Sequence, residues 1–509
     1  MTVLSRRLLL PLVFVSGMAS LGVEFGASRL LAPYFGTSLY VWGVLIGLIL
    51  VYLSAGYVIG GRLADRYPRD DVLYQITAWA GLWIGVIPLV SYPILLASQQ
   101  GFRTLSVGLV AGTLLAVVLL FAVPVTLLGC VSPFAIRLLL TDVATGGNTA
   151  GRVYALSTVG SILGTFVPVF WLIPTFGTRP TIEVFGLALV LISGLALWPK
   201  RRLYASFAVA VIIAWAFLPG GIKPPEAGTL LFEKESAYNY IQVVQVGSAT
   251  ELILNEGQAV HSVYDSQTNL THGYWDYLLL ADAFRPAQDT PATPRSVAFL
   301  GLAAGTSARQ YRLAFGDHVD ITGVEIDPEI LAAGHRYFHL GDAHAHEVVA
   351  DARYWLDTQA GHYDVLVLDA YRQPYIPFHL TTSEFFQQVK AHLNPGGALA
   401  VNVGRTATDY RLVSALASTM AAVFPSVFLI DDPNFANTVV YASTAPVTVD
   451  DVAHNLGLVS APLASDAAKS ALLEGRLRLS PYHGQVYTDD LAPIEQLIDQ
   501  IIFSYLTGG

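Results

Sequence analysis

Charge is scarce in this chain. Only 13% of its 509 residues are Asp, Glu, Lys or Arg, while 53% are hydrophobic, far from the balance of an ordinary soluble protein. Cysteine is nearly absent. Cys130 alone excludes intrachain disulfides and a cysteine-rich metal site. No basic stripe offsets the net charge of −10, which excludes a general nucleic-acid binder, since that must neutralise phosphates. The complete glycine fingerprint of a dinucleotide-binding turn is missing too.

What is present divides near residue 220, at the helix-breaking run Leu218-Pro219-Gly220-Gly221-Ile222-Lys223-Pro224-Pro225. Before it lie apolar stretches; after it the pattern is that of a soluble protein. A bilayer core needs about 20 mostly apolar residues per helix, and seven stretches qualify as candidates: 8–25, 39–60, 72–95, 105–129, 150–173, 181–198 and the short 203–218. The first follows Arg6-Arg7 as a signal peptide would, but the further spans favour an uncleaved anchor. Lys and Arg fall unevenly between the two sets of loops. Arg6, Arg7, Arg62, Arg66, Arg69, Arg137, Arg152, Lys200, Arg201 and Arg202 lie on one side; Arg29, Arg103 and Arg179 lie on the other. The N-terminus is therefore expected in the cytoplasm of a multi-pass cell-membrane protein. Seven spans would put the soluble half outside the cytoplasm; six, with 203–218 re-entrant or interfacial, would keep it inside.

Three features of the apolar half keep two readings each. Glu24 is either an interfacial carboxylate paired with Arg29 or a functional polar site. Gly60-Gly61-Arg62-Leu63-Ala64-Asp65-Arg66-Tyr67-Pro68-Arg69 resembles the loop that locks helices two and three of major facilitator transporters through Arg–Asp contacts; with too few spans for such a transporter, it reads as a related packing device. Gly160 and Gly164 form a face for close helix contact or reflect ordinary glycine enrichment.

In the soluble half, Tyr240–Val246, Glu251–Leu254 and Ala259–His261 alternate as short strands of a small antiparallel sheet. From 296 the pattern becomes strand–helix repeats: Ser296–Leu300, a helix Thr306–Phe315, Val319–Val324, a helix from Pro328, then His346–Ala350, Asp364–Leu368 and Ala398–Val403. Such alternation implies a parallel sheet covered on both faces. Its ligand crevice lies beyond the carboxyl ends of the strands. There the first strand meets Gly301-Leu302-Ala303-Ala304-Gly305, and the next three end at Glu325, Asp351 and Asp369. A glycine turn lets backbone approach a ligand, and an acid about 20 residues on accepts bonds from ribose hydroxyls. Any one acid alone reads as a helix cap or solvated loop residue.

These residues carry a resemblance. Leu254-Asn255-Glu256-Gly257-Gln258, Tyr274-Trp275-Asp276-Tyr277, the glycine turn, Val324-Glu325-Ile326-Asp327, Val349-Ala350-Asp351, Tyr363–Asp369 and Thr381-Thr382-Ser383-Glu384-Phe385-Phe386 together resemble the spermidine synthases, the polyamine aminopropyltransferases. The chain is most similar to their membrane-fused members. With the seven apolar stretches counted above, the expected architecture is a seven-span helical bundle (1–220), and the resemblance implies that a small antiparallel β-sheet (226–285) and a Rossmann-like, methyltransferase-type parallel sheet (290–509) follow it. It also implies transfer of an aminopropyl group from decarboxylated S-adenosylmethionine, as co-substrate, to a diamine such as putrescine, with no metal and no prosthetic group. Glu325 would hold the ribose and Asp351 would face the adenine. Gly301 and Gly305 would shape the turn, and Gln258, or His261 in its place, would touch the donor. Tyr274, Asp369 and Asp276 would make the reaction centre. A homodimer is the family's usual state.

Two positions depart from the family. Ala304 stands where an aspartate usually binds the aminopropyl ammonium. Arg372, three residues after Asp369, replaces a second aspartate and repels a cationic diamine. Asp276, Asp489 or Asp490 would have to restore the negative charge; alternatively Arg372 would recognise a carboxylate or phosphate on another acceptor. The aromatic loop 371–379 either closes over a ligand or packs on a neighbour, and His379 within it reads as structural. His335, His339, His344 and His346 read as a surface helix and loop rather than a metal site. Two rival functions follow: methyl transfer from intact S-adenosylmethionine, or a nonenzymatic nucleoside-thioether-binding membrane module.

Overall fold

The computed structural model describes residues 3–36, 39–104, 109–198, 201–218, 220–257, 259–290, 293–371, 376–473 and 475–506. The chain divides into two compact units, Met1–Pro224 and Pro225–Gly509.

The first unit is helical: α1 (Val3–Phe35), α2 (Leu39–Arg66), α3 (Asp70–Thr104), α4 (Leu109–Gly129), α5 (Val131–Leu139), α6 (Gly146–Val167), α7 (Ile173–Phe176), α8 (Thr178–Leu197) and α9 (Ser206–Ala216). Six stretches are long and apolar enough to cross a bilayer: Leu4–Phe35, Val41–Arg66, Asp70–Ser98, Ala111–Leu139, Val143–Phe176 and Thr178–Leu197. The expected seventh, 203–218, falls short. Its helix runs Arg202–Ala216, about 22 Å at 1.5 Å per residue, against a core of about 30 Å. Among the described residues the count of full-length spans is therefore six.

Glycines set how closely these helices approach. A Cβ on Gly160 would lie 2.1 Å from the Phe14 carbonyl oxygen, and one on Gly164 would lie 2.1 Å from that of Met18. The small-residue face is thus the α1–α6 contact. Gly186 on α8 meets Gly81 and Gly85 on α3 in the same way. Arg137 on α5 reaches Asp65 on α2 at 3.2 Å, so the Gly60–Arg69 motif does tie helices through an Arg–Asp contact. Glu24 is half-buried on α1. Glu183 on α8 is wholly buried, and neither carboxyl oxygen has a hydrogen-bond partner among the described residues.

Described residues between 201 and 223 make contacts at both ends of this bundle. At one end Arg201 and Tyr204 bond Gln75, near the start of α3. α9 then runs beside α3, with Phe207 against Trp79 and Val211 against Gly85. At the other end Arg179 donates to the Gly221 and Ile222 carbonyls. Tyr34 also donates to Ile222, and Lys223 to the Pro33 carbonyl.

The second unit opens with an antiparallel sheet of β1 (Thr229–Glu235), β2 (Tyr240–Val246), β3 (Ala249–Leu254) and β4 (Val260–Asp265), in that order. Its strands follow the alternation read from the sequence. After α10 (Tyr274–Leu278), strands alternate with helices: β5 (Ser296–Leu300), α11 (Thr306–Phe315), β6 (Asp320–Glu325), α12 (Pro328–Tyr337), β7 (His346–Val349), α13 (Ala352–Thr358), β8 (Tyr363–Leu368), α14 (Ser383–Ala391) and β9 (Leu393–Gly404). Next come α15 (Arg411–Ala421), β10 (Ser426–Asp431), β11 (Asn437–Ser443), α16 (Val449–Gly457), α17 (Pro462–Ala471), β12 (Arg478–Leu479) and α18 (Ile494–Leu506).

The large sheet has the order β12-β10-β11-β9-β8-β5-β6-β7. β9 through β7 are parallel, as expected. The other three strands are antiparallel, so the sheet is mixed rather than wholly parallel. Hairpin return of β11 beside β9 accounts for this: only a crossover could have kept it parallel. Apolar cores fill both faces, around Phe299, Tyr311 and Tyr441 on one and Leu366, Phe385 and Phe386 on the other. The chain goes one way from β5 through β6 to β7 and returns to the opposite side with β8, which makes the β5–β8 boundary the switch point where such sheets bind ligands.

Candidate functional site

At that switch point the glycine turn takes a backbone shape that side chains resist. Gly301 has φ +95°, and a Cβ there would lie 2.5 Å from the Asp369 carbonyl oxygen; Gly305 has φ +92° and abuts Leu340. The small sheet clamps the turn. Ser262 on β4 accepts from the Ala304 N–H at 3.0 Å, and Thr306 exchanges bonds of 2.8 and 2.9 Å with Val263.

Glu325, at the end of β6, is buried. It accepts from Ala303 N–H at 2.9 Å and Asp327 N–H at 3.1 Å. Burial pushes its carboxyl up to about 7 against those bonds. Each oxygen keeps lone-pair capacity for a ligand hydroxyl. Asp327 is consumed by structure: it takes bonds from Ser236 and Asn239 of the small-sheet region and caps α12 through Glu329 N–H.

Asp351 caps α13, accepting from Arg353 and Tyr354 N–H at 3.0 Å each, and its other oxygen meets His379 Nε2 at 3.0 Å. It stands at the third strand end, yet both of its oxygens already have partners. His379 is held in turn, since its carbonyl accepts from Arg353.

Asp369 follows β8. It is hydrogen-bonded to Tyr274 and, at 2.9 Å, to the Asn402 amide. Burial pushes it up to about 6, opposed by those two bonds. Tyr274 is buried and stacked on Trp275, with ring centroids 4.2 Å apart; burial, then the Asp369 charge, hold its hydroxyl in the neutral form. Tyr371 donates to the Asn402 carbonyl at 2.8 Å and accepts from Gly404 N–H.

Asp276 differs from its two companions in the reaction centre. It takes bonds from Thr271 N–H and hydroxyl, His272 N–H and the Gln310 amide. It braces the turn before Tyr274, a positioning role. Asp489 is also committed, in a two-pronged pair with Arg353 at 2.7 and 2.6 Å. Gln258 and Arg372 lie outside the described residues. The histidines scatter: His335 pairs with Glu347, His339 stacks on Tyr264, and His344 approaches Asp317. Among the described residues no group of three potential metal ligands forms.

Sequence reasoning missed Asn402 and Asp432, and it named Tyr371 only as part of the aromatic loop. A polar residue inside the apolar run Val401-Asn402-Val403 was the legible signal for the first. Asp432 follows β10 and is 2% exposed. Its Oδ1 accepts from Asn434 and Phe435 N–H, as an Asx turn does. Its Oδ2 has no hydrogen-bond partner among the described residues. Burial raises this carboxyl against the two turn bonds; the charge of Asp276 adds to the rise and that of Arg405 opposes it. The Asp432 charge is felt at both Tyr274 and Tyr277.

No family model matches the chain. It is 36% identical over 216 residues to a probable polyamine aminopropyl transferase of Bifidobacterium longum, covering 42% of this chain and 47% of that protein. The chain thus spans about half the length of that relative. A polyamine aminopropyltransferase of Oceanobacillus iheyensis is 24% identical over 384 residues, 70% of each chain. That match is longer than the soluble unit and so extends into the helical one. A solved structure, a probable spermidine synthase from Corynebacterium glutamicum, superposes with TM-score 0.37 at 18% identity, covering 52% of this chain and 99% of that one. In sequence the chain is thus similar to polyamine aminopropyltransferases, and among its described residues it also carries six apolar helices long enough to span a membrane.

Proposed function

We propose that the chain is a membrane-anchored transferase that moves the aminopropyl group of decarboxylated S-adenosylmethionine onto an amine of the polyamine class, putrescine among them. The observation that carries this is the bonded set Tyr274–Asp369–Asn402 set against a glycine turn that Glu325 closes. The donor is a sulfonium with a good leaving group. An acceptor nitrogen lone pair attacks the carbon next to sulfur; the N–C bond forms, the C–S bond breaks, and methylthioadenosine leaves with the electron pair. Holding the two reactants in line supplies much of the rate. The acceptor amine has to shed a proton, and Asp369, at about 6, is ionised and able to take it at neutral pH. Glu325 would hold the ribose hydroxyls in its carboxylate form. Gly301 and Gly305 bring backbone to the nucleoside, Asp351 would line the adenine end, and Gln258 would reach the donor from the small sheet.

Ala304 favours a second reading. Its methyl is buried and its N–H is taken by Ser262, so that point of the turn offers no charge for the donor's ammonium. Intact S-adenosylmethionine as methyl donor is the alternative. The test is to incubate the purified chain with decarboxylated S-adenosylmethionine and putrescine, and separately with S-adenosylmethionine and candidate acceptors, following nucleosides by mass. Methylthioadenosine in the first mixture supports the transferase; S-adenosylhomocysteine in the second alone overturns it.

We also infer that residues 201–222 make a seventh, short crossing, so that the chain leaves the membrane at the end opposite its N-terminus. The contacts of Arg201 and Tyr204 at one end of the bundle and of Gly221 and Ile222 at the other support it.

A further inference from the structure

Asp369 and Asp432 both act on Tyr274, Asp276 stands two residues along the same helix, and the three carboxyl groups are not equivalent. Asp369 shares hydrogen bonds with Tyr274 and Asn402. Asp276 has both oxygens occupied by the turn at Thr271–His272 and by Gln310. Asp432 alone presents a buried oxygen, Oδ2, with no donor among the described residues. A desolvated carboxylate oxygen left open is costly, and it is an anchor for a cation if one arrives.

Its placement is fixed by a chain of bonds to the reaction centre. Asp432 N–H donates to the Asn437 carbonyl at 3.0 Å, and the Asn437 amide donates to Asn402 Oδ1 at 2.8 Å. Asn402 in turn donates to Asp369 at 2.9 Å. The rings nearby are of the kind that favours ammonium: Trp275 stacks on Tyr274, and Phe435 packs at Gly273, where a Cβ would lie 3.1 Å from its ring.

We propose that Asp432 is the anionic anchor for a second ammonium group of the acceptor, which makes the site selective for di- and polyamines over monoamines. The reacting amine would sit at Asp369 and Tyr274, and the remote cation at Asp432 Oδ2. This rests on the transferase reading, so the test does not depend on turnover alone.

Putrescine binding to the full chain, loaded with methylthioadenosine in lipid nanodiscs, is measured by calorimetry for the native protein and for Asp432→Asn. The amide keeps the Asx turn by accepting the Asn434 and Phe435 N–H bonds. The expected result is at least a tenfold loss of putrescine affinity with unchanged methylthioadenosine affinity, and no comparable loss for n-butylamine. Equal putrescine affinity in the two proteins, or no putrescine binding by the native one, overturns the anchor. With turnover, Asp432→Asn is expected to raise KM for putrescine at least tenfold while kcat changes less. Failure of the native protein to release methylthioadenosine with any amine, while it still binds putrescine through Asp432, would instead sink the transferase reading and leave the anchor standing.

Discussion

Glu325 carries opposite pH signatures in the empty and the loaded protein. Its carboxyl sits at about 7, raised by burial. In the empty protein the folded state therefore binds this proton more tightly than the unfolded chain, and the contribution to stability falls as pH rises from about 4.5 to about 7. Asp369, at about 6, adds the same sign. Ribose hydroxyls prefer the ionised acceptor, so nucleoside affinity runs the other way and weakens as pH falls through about 7. Titrating methylthioadenosine binding between pH 5.5 and 8.5 checks this, and a flat profile refutes the ribose assignment. Glu325→Ala is expected to lower that affinity on the order of 10- to 100-fold, since a hydrogen bond to a charged group contributes about 1.5–3 kcal/mol. Asp369→Asn keeps the Asn402 neighbourhood but removes the base. General-base removal lowers kcat on the order of 10²- to 10⁴-fold, with donor affinity retained; a kcat within a few-fold of native would assign the proton to another group.

At the scale of elements, local pattern and long-range bonding separate what was legible from what was not. Strand ends at Leu300, Glu325 and Leu368 follow from short apolar runs meeting glycine or acid, and their parallel pairing follows from the helices between them. The antiparallel return of β11 did not follow, because Asn437–Ser443 reads locally like any apolar strand and its partner is chosen by the hairpin. Asp276 illustrates the same limit: its four donors come from Thr271, His272 and Gln310, and the last lies 34 residues away. The short span 203–218 was legible as short, but its route along α3 depends on Gly85 leaving room for Val211. Two substitutions test the element packing. Gly164→Val would drive a side chain into the Met18 carbonyl, and loss of the α1–α6 contact should lower the thermal midpoint in detergent. Glu183→Leu removes a buried carboxyl that lacks partners among the described residues. Relief of about 1–3 kcal/mol is expected, seen as a raised midpoint; a lowered midpoint would mean that the carboxyl holds something in the native bundle.

For the whole molecule, the membrane route decides which pool of substrates the soluble unit meets. Six full-length helices alone would return the chain to the side of its N-terminus. The proposed crossing by residues 201–222 would alter that parity. Arg202–Ala216 covers about 22 Å, short of a core of about 30 Å, so the proposed crossing would need the residues up to Ile222 as well. The bonds at both ends agree: Tyr204 joins Gln75 near the start of α3, and Ile222 joins Tyr34 at the end of α1. If the arginines of the first end, Arg6, Arg7, Arg62, Arg66, Arg137 and Arg201 among them, follow the positive-inside rule, that end is the cytoplasmic one. The soluble unit would then emerge on the far side, and both donor and amine would have to be supplied there. The single native cysteine makes the test clean. In a Cys130→Ser background, Ala227→Cys is expected to react with a membrane-impermeant maleimide in intact cells. Thr141→Cys, in the loop after α5, should react only after permeabilisation. Protection of both cysteines until permeabilisation would make residues 201–222 a re-entrant segment and put the soluble unit on the side of the N-terminus. Labelling of Ala227→Cys from outside would instead require that its nucleoside donor be exported or made beyond the membrane.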